Sequence, residues 1–409
     1  MMPGKNVTQR FDQNSKTKDF SGALPFEGSG VFASDFDQID TWSVQCFQPT
    51  NLSFKKSVFA FDGMLISLGS NITSTVAAAN TGVTATNLFQ SYKPVTGPNV
   101  KGTVIAPMET IKDYTDALWM ITPEGTGYYV PNGNDKVSLF YGTQSSPKDD
   151  ATNLNSPGSA IAAKAYINHG VTPSDASYHF VVMPGASVND MQAVVSRIGD
   201  NGGDLYTINS QDATLHSLTY KPLATTAYAF FESKNGLTFG NVMAVASEML
   251  LMEKTVSGTR LAYGVCNPNL RPETAGSGWT ATPTHTSITI KGIWGLASSV
   301  DENVVVSNDG TNTTVTLTLK DGLPVYFELD SQSVGLTSTS VANYQIWMEN
   351  NQLRVVLDKE MEVSVFNATG VQVAFSEKAV SHTLSLQGGV YVIRLQSSDG
   401  IVTAKTVIP

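Results

Sequence analysis

The chain contains little charge and almost no cysteine. Charged residues make up 15% of its 409 residues, and the two cysteines are Cys46 and Cys266. Cysteines so far apart in the sequence match no zinc-ligand spacing and cannot form a disulfide framework. We expect two small, buried, apolar side chains. A single long-range disulfide is the alternative.

Long apolar segments and excess positive charge are also absent. No run of apolar residues could span a bilayer, and residues 1–20 are hydrophilic, without the apolar core of a signal peptide. The formal net charge of −10 argues against a nucleic-acid partner. It also disfavours a polyanionic substrate, unless a local basic groove or a partner domain supplies cations. The chain is therefore either cytoplasmic or part of a longer exported protein.

Sequence motifs for cofactor, metal or nucleophile chemistry are missing. The sequence has no GxSxG elbow, no Walker A motif and no dinucleotide-binding glycine fingerprint. No histidine lies in a HExxH or HxH arrangement. We expect no cofactor and no metal. Motifs alone would indicate a β-sandwich protein without a visible active site.

Short strands broken by turn residues are the dominant pattern, and they predict an all-β fold. Residues 55–70 contain Asp62-Gly63 between alternating apolar residues, which predicts a hairpin. Residues 126–142 repeat the pattern around Asn132-Gly133. Strand signals then recur about every ten residues, as in β-sandwiches.

A helix is predicted only over residues 187–202. Ser187 is the candidate N-cap and Gly202 the candidate stop. The helix period is carried by four apolar residues, Met191, Val194, Val195 and Ile198.

Four segments together resemble the family-8 polysaccharide lyases. They are FKKSVFAFDGMLISLGSNITST with the Thr-rich run that ends at Gln90, TGYYVPNGN (126–134), YINHGVTPSDASYHFVVMPG (166–185) and MMPG (1–4). The resemblance covers residues 1–332 and is nearest to the chondroitin ABC lyase branch. It implies β-elimination on acidic, uronic-acid polysaccharides such as chondroitin, dermatan or hyaluronan.

The resemblance also implies a domain plan. Residues 1–17 would be the junction after the family's catalytic α/α toroid, which precedes MPG in the family and is missing here. Residues 18–220 would form a large antiparallel super-sandwich and residues 221–332 a smaller β-sandwich. The family's catalytic Tyr, His and Arg lie on the toroid, so we expect this chain to need that domain as a partner and to be weak or inactive alone.

Glu27 is the candidate catalytic residue. In LPFEGSGVF (24–32) it stands where the resemblance places a glutamate that orients the toroid's Arg and His. Trp42 is the candidate substrate-binding residue, since an exposed indole could stack on a sugar. Packing roles are expected for Trp119, Tyr128 and Tyr129, and structural roles for His169 and His179.

The last segment, residues 338–409, is predicted to be a separate small β-sandwich. EVSVFNATG (362–370) and GGVYVIRL (388–395) resemble the type A C-terminal sorting domains of Bacteroidetes. That resemblance implies a secreted, periplasmic or cell-surface location. A small terminal sandwich that only stabilises its neighbour is the alternative. For the whole chain, the alternative is a stand-alone carbohydrate-binding or scaffold protein.

Overall fold

The computed structural model describes residues 19–37, 52–75, 82–145, 158–200, 202–270, 272–275, 278–297, 303–331, 344–349, 352–397 and 400–408. The chain divides into two compact units, residues 1–331 (unit 1) and 332–409 (unit 2). The predicted junction over 1–17, Trp42 and Cys46 lie outside the described residues.

Unit 1 begins with two antiparallel sheets. Sheet 1 has nine strands in the order β1-β2-β3-β4-β13-β10-β9-β6-β7. Their bounds are β1 Ser21–Phe26, β2 Ser29–Asp37, β3 Ser53–Phe61, β4 Met64–Thr73, β6 Asn99–Val100, β7 Thr103–Val104, β9 Leu118–Ile121, β10 Gly127–Val130 and β13 Ala176–Met183. Sheet 2, in the order β5-β12-β11-β8, contains β5 Ala85–Tyr92, β8 Lys112–Tyr114, β11 Val137–Ser145 and β12 Ser159–Asn168.

A seven-stranded sheet, a five-stranded sheet and a short hairpin complete unit 1. Sheet 3 has the order β14-β15-β16-β19-β20-β27-β24. It contains β14 Tyr206–Gln211, β15 Leu215–Tyr220, β16 Thr225–Phe230, β19 Met249–Ser257, β20 Arg260–Cys266, β24 Trp294–Leu296 and β27 Val325–Ser331. Sheet 4, in the order β17-β18-β23-β26-β25, contains β17 Lys234–Asn235, β18 Val242–Val245, β23 Thr284–Lys291, β25 Val304–Asn308 and β26 Asn312–Leu319. β21 Pro272–Ala275 pairs with β22 Gly278–Ala281.

Three apolar cores hold these sheets as layers in the order 2, 1, 3, 4. Leu139 and Ala165 of sheet 2 share a core with residues of sheet 1. Phe59 of sheet 1 shares the next core with sheet 3, and Tyr263 of sheet 3 shares the last with sheet 4. Sheets 1 and 3 are therefore covered on both faces, which explains strands with consecutive buried residues such as β16.

The two predicted hairpins have different outcomes. The Asp62-Gly63 hairpin is confirmed: β3 pairs with β4, and both turn residues have positive φ (45° and 74°). The Asn132-Gly133 hairpin is wrong, because β10 belongs to sheet 1 and β11 to sheet 2. A type I′ turn needs positive φ at both central residues, and here only Gly133 has it, at 89°. Asn132 instead accepts a hydrogen bond from the Ala117 amide (2.6 Å).

The predicted helix is confirmed as α1, Val188–Ile198. Ser187 caps it in a capping box, since the Asp190 amide donates to its Oγ (3.2 Å) and its own amide donates to the Asp190 carboxylate (2.9 Å). The helix ends at Gly199, with φ of 53°, rather than at Gly202. A short 3-10 helix, Lys221–Leu223, connects β15 to β16.

Unit 2 is a single five-stranded sheet folded around its own core. Its strands are β28 Tyr344–Glu349, β29 Gln352–Asn367, β30 Gln372–Ser385, β31 Gly389–Ser397 and β32 Gly400–Ile408. The long strand β29 pairs with β28, β30 and β31, and β31 pairs with β32. Alternate β29 residues such as Leu353 and Val355 are buried, so the other face of the strand points outward.

The all-β prediction is confirmed, and among the described residues α1 is the one α-helix. No α/α toroid is present in this part of the chain. β15 and β16, on either side of the predicted boundary at 220/221, pair within one sheet, and the four-part domain plan remains a prediction. Cys266 is buried, which raises the pKa of its thiol to about 12. Across the described ranges, no helix has the length and apolar character needed to cross a membrane.

Candidate functional site

Glu27 occupies the first central position of a tight hairpin turn between β1 and β2. Phe26 pairs with Ser29, and Glu27 and Gly28 between them have φ of 46° and 75°. This is the left-handed pair of a type I′ turn, for which Asn-Gly and Asp-Gly are preferred. A glutamate is unusual there, because its Cβ crowds the backbone at positive φ. The turn itself therefore does not explain why this residue is a glutamate.

The Glu27 carboxylate meets a cation from another sheet. Lys254 Nζ of β19 lies 2.5 Å from Glu27 Oε2, and the two side chains are 31% and 45% exposed. An ion pair this exposed contributes little to stability, typically about 0–1 kcal/mol. In this structure the pair directs the Glu27 carboxylate from sheet 1 towards sheet 3.

The base of the same hairpin is held firmly. Phe26 is buried and stacks on Tyr326 of β27, with ring centroids 6.5 Å apart. The Tyr326 hydroxyl donates to the Pro25 carbonyl (2.8 Å). Glu27 is thus an exposed acid on a rigid support, the arrangement that a functional side chain requires.

A second acidic turn lies at the same end of sheet 1. β1 and β3 run in the same direction because each is antiparallel to β2, so the turns that follow them lie at one end. In the second turn Asp62 has φ of 45° and accepts a hydrogen bond from the Tyr220 hydroxyl (2.9 Å). Burial and Asp62 raise the pKa of Tyr220 to about 12. We call the two turn acids and their partners the acidic rim, which comprises Glu27, Lys254, Asp62 and Tyr220.

The structure brings Glu27 together with Lys254, and not with the Arg and His that the family resemblance implies. Trp42, the predicted sugar-stacking residue, lies outside the described residues, so its role stays a prediction. Sequence reasoning missed Lys254, Asp62 and Tyr220. One signal was available: Glu27-Gly28 and Asp62-Gly63 are both acid-glycine pairs that follow strands in a hairpin pattern.

The described histidines with buried rings are bonded within the fold. His169 Nδ1 lies 2.6 Å from Asp135 Oδ2, and its Nε2 lies 2.9 Å from Thr86 Oγ1. The Nε2 atom of His179 lies 2.7 Å from the Tyr206 hydroxyl. These contacts agree with the structural roles expected for both residues.

His216 lies in the core between sheets 1 and 3. Its two ring nitrogens each lie 2.8 Å from a serine hydroxyl, Ser57 Oγ and Ser70 Oγ. Burial lowers the pKa of His216 to about 3 and that of His179 to about 4. Both rings are therefore neutral near pH 7.

Acid is expected to destabilise unit 1 through these two histidines. In the unfolded chain a histidine binds a proton below pH ~6.5, whereas in the fold each ring resists protonation until much lower pH. Each neutral histidine therefore favours the folded state at pH values above its pKa in the unfolded chain. This contribution is lost as pH falls from that value towards the pKa in the fold, and the loss is about 2 kcal/mol for each histidine between pH ~7 and ~5. Urea unfolding of the chain and of His179→Gln and His216→Gln variants at both pH values checks this. A variant whose free energy of unfolding depends on pH as strongly as that of the parent would contradict this prediction.

Two polar clefts lie elsewhere in unit 1. One, of about 630 Å³, is lined by residues that include Asp135, Lys136 and His169. The other, of about 670 Å³, includes Gln211, Asp212 and Lys234. Neither contains Glu27. In the part of the chain that the structure describes, no three His, Cys, Asp or Glu side chains cluster as metal ligands would.

The three aromatic residues for which packing roles were expected, Trp119, Tyr128 and Tyr129, pack against the fold. Trp119 and Tyr129 are buried, and the Tyr129 hydroxyl donates to the Gly199 carbonyl (2.9 Å). Tyr128 is half-buried, with its ring centroid 5.9 Å from that of Phe89. Packing is therefore confirmed for all three.

Comparison with known families gives a match over the first half of the chain. Residues 2–195 match the domain described as "Polysaccharide lyase family 8, super-sandwich domain". This region contains β1–β13, the Glu27 turn and most of α1. The match supports the resemblance read from the four motifs, and the sorting-domain resemblance of unit 2 stays a prediction.

Individual relatives agree. The chain is 30% identical over 316 residues to a chondroitin sulfate ABC endolyase of Proteus vulgaris, covering 76% of this chain and 29% of the relative. It is 24% identical over 255 residues to a chondroitin sulfate ABC exolyase of the same organism, covering 62% and 23%. The chain thus spans less than a third of these curated relatives.

A solved structure shows that the fold is shared. A xanthan lyase from Paenibacillus superimposes with a TM-score of 0.59 at 15% identity, covering 96% of this chain and 43% of that one. At this identity the likeness shows a shared fold and nothing more.

Proposed function

We propose that this chain is the β-sandwich part of a lyase that cleaves uronic-acid glycosaminoglycans by β-elimination. The proposal rests on the family-8 domain match and on relatives named chondroitin sulfate lyases. The substrate class is chondroitin, dermatan or hyaluronan. The chain supplies an active-site carboxylate and part of the cleft surface.

The chemistry requires three elements. The C5 proton of the uronate is weakly acidic, so the sugar carboxylate must be neutralised to stabilise the charge that develops when this proton leaves. A base takes the proton, and an acid protonates the leaving O4 atom. The resemblance assigns these tasks to Tyr, His and Arg of a toroid domain. Glu27 would hold the Arg guanidinium plane by two parallel hydrogen bonds, facing the sugar.

The geometry of Glu27 is the observation that carries this role. Its carboxylate is about half exposed, lies on a rigid hairpin and sits at a positive φ that disfavours glutamate. Unusual backbone conformations of this kind cluster at functional sites. In the complete enzyme Lys254 would share Glu27 with the incoming Arg, and the other acid of the rim, Asp62, would stay bonded to Tyr220.

The proposed function also implies how active this chain is by itself and where it acts. Because the proton-transfer residues lie on the toroid, this chain alone is expected to turn over substrate at least ~10⁴-fold more slowly than the joined protein, since general acid–base groups contribute about 10²–10⁴-fold each. The chain would act outside the cell or in the periplasm, as its polymeric substrate requires.

Absorbance of the unsaturated uronate product tests the proposal. Two purified proteins are compared on chondroitin sulphate. One is this chain by itself, and the other is this chain fused in frame behind the toroid of a family-8 lyase. We expect turnover from the fusion and almost none from the chain. Rapid turnover by the chain alone would show that the catalytic set is complete without a toroid. Glycan binding by both proteins with turnover by neither would favour the non-catalytic alternative.

A further inference from the structure

One outward face of unit 2 carries an array of polar side chains around an exposed tryptophan. β28, β29 and β30 lie side by side, and their register places nine side chains in three rows. The rows are Gln345–Val356–Ser381, Trp347–Arg354–Thr383 and Glu349–Gln352–Ser385. The alternate residues of β29, Leu353, Val355 and Leu357, are buried in the core, so these rows point away from it. We call the nine residues the platform.

Trp347 is the middle one of the three platform residues on β28. It is 41% exposed, although burying so large an aromatic side chain would be strongly favourable. Two other aromatic residues of the described part of this sheet are exposed, and neither belongs to the platform. Tyr344 of β28 is paired with the buried Leu357, and Phe375 lies on β30 beyond the platform. An exposed indole on the outward face of a sheet offers an apolar surface on which a sugar ring can stack.

Arg354 lies directly opposite Trp347 and is braced. Its Nε donates to Glu349 Oε2 (3.0 Å), and its Nη1 donates to Thr383 Oγ1. These two bonds fix the guanidinium plane and use two of its five N–H donors. The remaining edge suits a planar anion, because a guanidinium binds a carboxylate or sulphate through parallel hydrogen bonds.

We infer that the platform is a binding site for an acidic, uronate-bearing polysaccharide chain. Trp347 would stack on the apolar face of a pyranose, Arg354 would bind its carboxylate or sulphate, and the amides of Gln345 and Gln352 would bind hydroxyls. A protein partner fits less well, because among the nine residues only Trp347 and Val356 are apolar. The choice of an acidic chain rests on the proposed lyase function, and the site itself lies outside the lyase-like unit.

Binding of chondroitin sulphate oligosaccharides to the full chain, followed by calorimetry, tests the inference. Trp347→Ala is expected to weaken binding at least ten-fold, because central aromatic anchors dominate such interfaces. Arg354→Gln is expected to weaken binding and to remove its sensitivity to salt. Phe375→Ala is the matched control: it also removes an exposed ring of unit 2, 51% exposed, and is expected to change nothing. Thermal unfolding checks that each variant is folded.

Other outcomes separate the platform from the lyase proposal. Glu27→Gln is expected to leave this binding unchanged, so a failure of the Glu27 role does not alter the result. Unchanged affinity in both Trp347→Ala and Arg354→Gln would overturn the inference, and so would a parent chain that binds no chondroitin sulphate. A Trp347→Ala protein that instead changes its oligomeric state would show that a second copy covers the face, which also overturns it.

Discussion

Replacing Glu27 by Gln in the toroid fusion is expected to lower turnover of chondroitin sulphate by about 10²–10⁴-fold. Glutamine keeps the size and one oxygen but loses the negative charge that would orient a guanidinium through two equivalent bonds. The effect should fall on turnover rather than on substrate affinity, because Glu27 would act through the Arg on the charge formed in the transition state. Product absorbance over a range of substrate concentrations separates the two.

Asp62→Asn is the matched control for this change. Asp62 has nearly the same backbone conformation as Glu27, precedes a glycine in the same kind of turn and lies at the same end of sheet 1. Its carboxylate is bonded to Tyr220 within the chain. We expect Asp62→Asn to retain turnover within a few-fold. Equal losses in both variants would indicate a general effect of charge at the acidic rim and not a specific role for Glu27.

Glu253→Ala is expected to lower the free energy of unfolding by about 3–5 kcal/mol. Glu253 of β19 is 2% exposed, between sheets 3 and 4. Its carboxylate accepts hydrogen bonds from the Tyr228 hydroxyl (2.7 Å), the backbone N–H of Asn241 (2.8 Å) and the Tyr263 hydroxyl (3.3 Å). Alanine would leave all three donors buried without an acceptor, and it would also open a cavity.

Glu253→Gln is the conservative comparison. Burial raises the pKa of Glu253, so the fold already disfavours its charge, and an amide oxygen of similar shape can accept at least one of the three bonds. Urea unfolding should therefore place the glutamine variant between the parent and Glu253→Ala. An alanine variant within ~1 kcal/mol of the parent would show that water or a rearrangement satisfies the three donors.

Local patterns in the sequence predicted the elements whose geometry is decided locally. The Asp62-Gly63 hairpin forms because both residues adopt the left-handed conformation that its two strands require. The helix begins directly after its N-cap Ser187, because the capping box is encoded within four residues. Asn132-Gly133 misled the same reasoning, because the Asn132 side chain bonds to Ala117 and Asp200 and the chain passes from sheet 1 to sheet 2.

Only the part of the candidate site that lies within one turn could be predicted from the sequence. Glu27 was found through a family motif in its own turn. Its partner Lys254 lies 227 residues later in the chain, and the contact exists because sheet 3 packs on sheet 1. Tyr220 reaches Asp62 across 158 residues in the same way. Register within a hairpin can be read from a sequence, whereas the meeting of two sheets depends on the whole core.

The central claim is that Glu27 is present for chemistry and not for the fold. Glu27→Asn tests it most directly, because Asn-Gly is the preferred pair for a type I′ turn and asparagine tolerates positive φ. The measurement is the free energy of unfolding of this variant together with the turnover of its toroid fusion. We expect stability equal to the parent or up to about 1 kcal/mol higher, since relief of the strained turn offsets the lost exposed ion pair, while turnover falls at least ~100-fold. A variant that loses stability and keeps parental turnover would contradict the claim.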